Sequence, residues 1–159
     1  MAKKYERTVA DEIDWKIIDQ LHAATVNFST TSLELKKIFF VLVGILVPVL
    51  IKLAGNKLDT SLFVTLYTII TAFAFLDSFT YFYQEKLREK MNIHFGLIKS
   101  RNAENSAAAD SDQGSFTIES NRTGKGRLRR SILNESMMLY WAMIILNTLA
   151  LLLFHNNTI

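Results

Sequence analysis

Two polar side chains stand inside otherwise apolar runs, and they are the first candidates for chemistry. Asp77 is the single charge in residues 62–83, and Asn147 is the single amide in residues 137–154, a run with no charge at all. An ionisable group on a lipid-embedded helix is a functional candidate by default, because leaving it in hydrocarbon costs about 2.5–3.5 kcal/mol on insertion scales. Such a carboxylate can gate a pore, line it or sense protons. The structural alternative is a helix-end carboxylate that accepts from Thr80 or Tyr81, or pairs with a basic side chain on the cytoplasmic side. Asp77 lies six residues before Tyr83, roughly 9 Å along a helix axis, and this nearness to the end favours the structural role. Asn147 is placed to hydrogen-bond across to a neighbouring helix, an interaction worth about 0.6–2 kcal/mol in a bilayer. A pore or ligand role is the sharper alternative for it. Tyr67, Thr71, Ala74 and Ser78 form a small-to-polar stripe suited to close helix contact.

The remaining inventory speaks against catalysis. The chain has no cysteine, which removes disulfides, thiolate metal sites and cysteine nucleophiles. Its histidines, His22, His94 and His155, are too few and too scattered for a multi-histidine metal centre. Arg88 and His94 have an Arg-x5-His spacing like that at the active sites of certain helical RNases, but the pattern arises by chance in many helices and here adjoins a span. No phosphate-binding loop, Ser/His/Asp set or paired-carboxylate site is present. The expectation is a non-enzymatic protein with neither metal nor cofactor.

The elements that must position these residues follow from length and hydropathy. The chain has 159 residues, half of them hydrophobic, with mean hydropathy +0.18, enough for one domain. The apolar runs are residues 38–54, interrupted by Pro48 and Lys52, then 62–83, then 137–154. A bilayer core about 30 Å thick needs about 20 helical residues, with a range near 17–25. None of the runs carries a polar stripe every 3.6 residues, as a surface helix would. A soluble bundle of this size has too little interior to cover three helices that are apolar all round. Residues 1–35 also lack the short apolar core and small-residue cleavage site of a signal peptide. The expected fold class is all-α: a single membrane domain over residues 1–159, with three transmembrane helices at 38–54, 62–83 and 137–154. Pro48 is a candidate kink in the first of them.

Residues 8–35 read as a cytoplasmic amphipathic helix. Its stripe is Ile13, Ile17, Leu21, Ala24 and Phe28, widened by Trp15, Ile18 and His22. Asp11, Glu12 and Asp14 sit at its N-terminal end, where the helix dipole favours negative charge. Residues 84–100 continue the second span as a charged helix with an apolar edge at Leu87, Met91, His94 or Phe95, and Ile98. These two helices are expected to pack on each other, on a neighbouring subunit or on a protein partner. Residues 101–130 read as a flexible basic loop, too rich in Ser, Asn, Ala, Gly and Asp over 101–126 to bury a core. It closes with Arg122, Lys125, Arg127, Arg129 and Arg130. This cluster sets topology and attracts anionic lipid at about 1 kcal/mol per charge. Nucleic acid is disfavoured, because no aromatic residues are interleaved for base stacking.

Basic residues also orient the chain. Six Lys and Arg precede the first span and ten lie between the second and third, so 16 of the 18 fall on one side. The positive-inside rule then puts the N-terminus and residues 84–136 in the cytoplasm and the C-terminus outside. Tyr81, Tyr83, Tyr140 and Trp141 would form an aromatic belt at the cytoplasmic interface.

The segment from Phe75 through Leu76, Asp77 and Ser78 to Tyr83, continuing as Gln84, Glu85, Lys86, Leu87 and Arg88, resembles a family of small bacterial inner-membrane proteins, mostly uncharacterised. In that family a span ends in a Leu-Asp-small-aromatic-aromatic segment and passes into a charged helix. The run from Asn27 to Lys37 is similar to the helix leading into the family's first span, and Ser78-Phe79-Thr80 departs from the usual pattern. The resemblance covers most of the chain outside residues 101–126. It implies a three-span protein of a bacterial inner membrane, with Asp77 part of the pattern, and carries no activity. The expected function is a non-enzymatic membrane protein that forms homo-oligomers, acting as a membrane-perturbing effector of a stress or phage-defence system. The alternatives are an immunity or lysis-timing protein that binds another membrane protein, and a channel or transporter subunit. The last is disfavoured, because three spans without internal repeats rarely build a solute pathway.

Overall fold

The computed structural model describes residues 8–55, 57–102 and 126–156, and no strand occurs among them. Two long helices, α1 (Val9–Leu53) and α2 (Thr60–Arg101), are followed by a short helix, α3 (Arg127–Ile132). A 3-10 turn at Glu135–Met137 then leads directly into α4 (Met138–His155). Helix α1 starts where Thr8 and Asp11 cap each other. The Thr8 hydroxyl accepts from the Asp11 amide at 3.1 Å, and the Asp11 carboxylate accepts from the Thr8 amide at 3.4 Å. It stops at Gly55, whose φ of 71° continues the chain in the left-handed region open to glycine. Pro48 lies inside α1 without ending it.

At 45 and 42 residues, α1 and α2 are about 68 and 63 Å long, roughly twice the thickness of a hydrocarbon layer. The amphipathic stretch and the first apolar run are therefore one helix, and the second apolar run and residues 84–100 are another. The expected count of three spans needs correction. Among the described residues two helices, α2 and the segment Glu135–His155 that contains α4, are long and apolar enough to cross a membrane. In α1 the uncharged run between Lys37 and Lys52 is 14 residues, about 21 Å of helix, and each 18-residue window of α1 that contains it takes in three charged residues. A second correction concerns the basic loop. Arg127, Arg129 and Arg130 are helical, in α3, and Arg101 closes α2, while residues 103–125, with Arg122 and Lys125, lie outside the described residues.

The chain divides into two compact units, one of Met1–Phe28 with Tyr83–Arg127 and one of Ser29–Phe82 with Leu128–Ile159. In the first, Ile18 is buried, Trp15 meets Phe95 edge-on at 5.6 Å, and Phe28 stacks on Tyr83 at 5.7 Å. In the second, Phe39, Ile70, Met137 and Tyr140 form the core, with Val43, Phe73 and Met143 among those packed round it. Phe39 is its hub, 5.5 Å from the rings of both Phe73 and Tyr140.

The buried line of α1 shares Ile18, Leu21 and Phe28 with the expected stripe and adds polar positions to it. Asp11, Asp14, Ile18, Leu21, Thr25, Phe28, Ser32, Leu35 and Phe39 are buried or half-buried, whereas Ile13 is exposed. These positions alternate in steps of three and four. On α2 the same alternation runs through Phe63, Leu66, Ile70, Phe73, Asp77, Thr80, Gln84, Leu87, Met91, His94 and Ile98. Both helices thus carry the heptad spacing of a coiled-coil seam, with polar residues at several of its positions. Tyr140 is also displaced from its expected place in an interfacial belt, since it is buried in the core of the second unit.

Candidate functional site

Asp77 is the centre of a polar cluster in the second unit. Its side chain is 1% exposed, and the Lys36 ammonium lies 2.5 Å from its Oδ2. The Ser32 hydroxyl donates to Oδ1 from the seam of α1, and the Thr80 hydroxyl, one turn along α2, reaches Oδ1 at 3.3 Å while donating to the Asp77 carbonyl at 2.8 Å. Lys36 also donates to Ser32 and to Ser136, each at 2.8 Å, and stands 5.9 Å above the Tyr140 ring. Its three protons are thereby shared among a carboxylate and two hydroxyls, a complete set for an ammonium. Ser32 and Lys36 are one turn apart on α1, so the helix itself aims both at the carboxylate. The Tyr140 hydroxyl is buried beside Asp77 without meeting hydrogen-bond geometry. This is a neutralised pair with its valences filled, able to hold α1, α2 and the turn before α4 in register. Sequence reasoning placed a basic partner near Asp77 but did not name Lys36, Ser32 or Ser136.

Asn147 is buried in the same unit, and its side-chain nitrogen donates to the Phe63 carbonyl at 3.2 Å. Nearby, the Tyr67 and Thr148 hydroxyls are 2.7 Å apart. Both contacts join α2 to α4, so the amide and the first member of the small-to-polar stripe are used within one chain. Ala74 packs at the edge of the core, and Ser78 donates to the Ser131 hydroxyl at 3.4 Å. Thr71 is exposed.

The first unit holds a second cluster, built from the opposite ends of α1 and α2. The Arg101 guanidinium spans two carboxylates, with Nε 2.9 Å from Asp11 and an Nη donating to Asp14. Asp14 also lies 2.7 Å from Nδ1 of His94, and the Asn102 amide donates to Asp11 at 3.2 Å. Burial pushes the Asp11 carboxyl up, but the bonds from Asn102, Arg101 and Thr8 outweigh it and hold the group at about 2. The Arg101 and His94 bonds hold Asp14 below the usual range, and the same pairing raises Arg101. His94 is therefore engaged with Asp14, and Arg88 lies 3.7 Å from Glu85. The Arg-x5-His pair is committed to two different carboxylates. Arg127 pairs with Glu89, and His22 is exposed. Among the described residues, no three His, Cys, Asp or Glu side chains converge as a metal site would require.

No family model matches the chain, and neither the curated proteins nor the solved structures contain a match to it.

Proposed function

We propose that this chain is a non-enzymatic, multi-pass membrane protein that acts by assembling with copies of itself in a bacterial inner membrane. The observation that carries the reading is that the most apolar windows of α2 and of Glu135–His155 are only 22% and 17% buried. A core helix of a soluble protein would be mostly covered. These helices leave apolar surface that lipid or another apolar helix must cover.

In this reading the apolar part of α1 shares the hydrocarbon layer. Phe39 packs on Phe73 and Tyr140, and Lys36 is neutralised by Asp77, so residues 38–51 accompany α2 into the bilayer. Lys37 and Lys52 then lie where long side chains can snorkel to the headgroups. With residues 38–51 crossing beside α2, the basic residues of 1–37 and 84–136 favour the cytoplasm for both segments and the outside for the C-terminus. Self-association is assigned to the outer face of α1, where Ile38, Val41, Ile45 and Val49 are all exposed at helical spacing. An assembly of small subunits whose buried carboxylates, Asp11, Asp14, Asp77 and Glu85, are paired within one chain fits a membrane-perturbing effector better than a catalyst.

Because the chain has no cysteine, an Ile45→Cys variant gives a clean test. Oxidation in membranes is expected to yield a disulfide-linked dimer, and amine cross-linking of the native chain a ladder above it. Expression is expected to arrest growth and release a trapped dye. Monomer alone in both membranes and mild detergent removes the assembly reading, and unimpaired growth with intact membranes removes the effector role.

A further inference from the structure

We infer that bilayer thickness controls self-association through α1, because the uncharged run of this helix is too short for an ordinary hydrocarbon layer. The inference rests on the membrane and assembly reading above and names what regulates that same face.

The helical segments of the second unit carry uncharged runs of unequal length. In α1 the run between Lys37 and Lys52 is 14 residues, about 21 Å. In α4 no charge occurs from Met138 to Phe154, 17 residues, or about 26 Å. On α2 the sole charge between Asp59 and Glu85 is Asp77, which Lys36 neutralises. Residues 60–82 therefore act as one run of 23, about 35 Å. Against a layer about 30 Å thick, α1 is short by about 9 Å, α4 by about 4 Å and α2 not at all.

The fold limits how α1 can adapt. The contacts of Lys36 with Asp77 and Ser136 stop α1 from sliding along its neighbours. Side chains on a helix lean toward its N-terminus, so Lys37 leans out of the run while Lys52 leans back into it. Snorkelling therefore serves Lys37 better than Lys52. What remains for a short helix is to thin the bilayer or to associate. In a monomer, lipid must thin against the exposed Ile38, Val41, Ile45 and Val49. A second copy, inserted in the same direction, brings a face of equal height and relieves both chains at once. A thicker bilayer penalises the uncovered face more and favours the pair.

The Ile45→Cys chain, placed in vesicles of dimyristoleoyl, dioleoyl or dierucoyl phosphatidylcholine, reads this directly as disulfide formed by vesicle-bound protein. The ratio of dimer to monomer is expected to rise at least about fivefold from the shortest lipid to the longest. Lys52→Leu carries the uncharged run to the end of α1 at Leu53 and should cut that rise to about half or less, whereas Lys52→Arg should keep it. A cysteine at the exposed Leu149 of α4, whose run is longer, should show a smaller rise. Equal dimer in all three bilayers overturns thickness control and leaves assembly standing. So does a rise that survives Lys52→Leu, is lost in Lys52→Arg, or is as large at position 149. Monomer alone in every bilayer overturns assembly and inference together.

Discussion

The Lys36 ammonium of α1 lies 2.5 Å from the Asp77 carboxylate of α2, and the two side chains are 17% and 1% exposed. This asymmetry sets the first prediction. Breaking a buried pair by removing one partner costs about 3–5 kcal/mol, mainly from the charge left behind. Lys36→Met strands the more deeply buried group and is expected to lower stability most. Asp77→Asn leaves an ammonium that can turn toward solvent and keep its bonds to Ser32 and Ser136, so it should fall at or below the low end of that range. Lys36→Met/Asp77→Leu removes both charges and should recover most of the loss. Thermal unfolding in mild detergent gives the three values. A double variant as unstable as the worse single one would contradict the account. If Asp77→Asn also matches the native chain in growth arrest at equal membrane abundance, the carboxylate is architecture alone.

The location of this pair shows how much of the protein was legible beforehand. Apolar periodicity marks the long helices well, because α2 and α4 carry runs of lipid-compatible residues bounded by charge. On the N-terminal part of α1 it shares Ile18, Leu21 and Phe28 with the buried line but includes Ile13, which is exposed, and passes over the buried Asp11 and Asp14. The rule that apolar residues face inward fails there because the partners on α2 are polar too. Arg101 and His94 lie 80 to 90 residues from Asp11 and Asp14 in the chain, and nothing local announces them. The three-four spacing from Asp11 through Ser32 to Phe39 is visible in the sequence only when polar residues are counted as seam positions. Lys36 was similarly concealed, since a lysine beside a span reads as a topology signal until its carboxylate is found.

Asn147 provides the second prediction. Its amide donates to the Phe63 carbonyl at 3.2 Å between α4 and α2. Asn147→Leu should keep the volume and lose that bond, at a cost of about 0.6–2 kcal/mol in a bilayer. The cysteine cross-link at position 45 should be unchanged, because the amide serves contacts inside one chain. Loss of the cross-link with no loss of stability would instead make Asn147 a subunit contact.

The third prediction is topological. If the basic residues of 1–37 and 84–136 orient the chain as proposed, alkaline-phosphatase fusions after Ile159 should be active and fusions after Arg130 inactive. The reverse pattern would invert the whole arrangement and place Arg129 and Arg130 at the outer leaflet.

The last prediction is a pH transition confined to the first unit. Asp11 is held at about 2, against an ordinary 3.8, by bonds from Asn102, Arg101 and Thr8 that overcome its burial, and Asp14 is lowered by Arg101 and His94. A carboxyl with a depressed folded-state pKa stabilises the folded form above its unfolded pKa and loses that contribution as pH falls through the folded value. The pairing of the two helix ends is therefore expected to hold from neutrality down to pH 3.8 and to weaken between there and about pH 2. Trp15 packs edge-on against Phe95 in this unit, so its fluorescence in a Trp141→Phe background follows the opening. Arg101→Gln removes the main donor to Asp14 and one donor to Asp11, which returns both carboxyls toward their ordinary range. The midpoint should accordingly move up in pH, while Arg129→Gln leaves it in place. A midpoint unchanged by Arg101→Gln would mean that the guanidinium does not hold these carboxylates ionised and that the cluster at the helix ends is stabilised by other contacts.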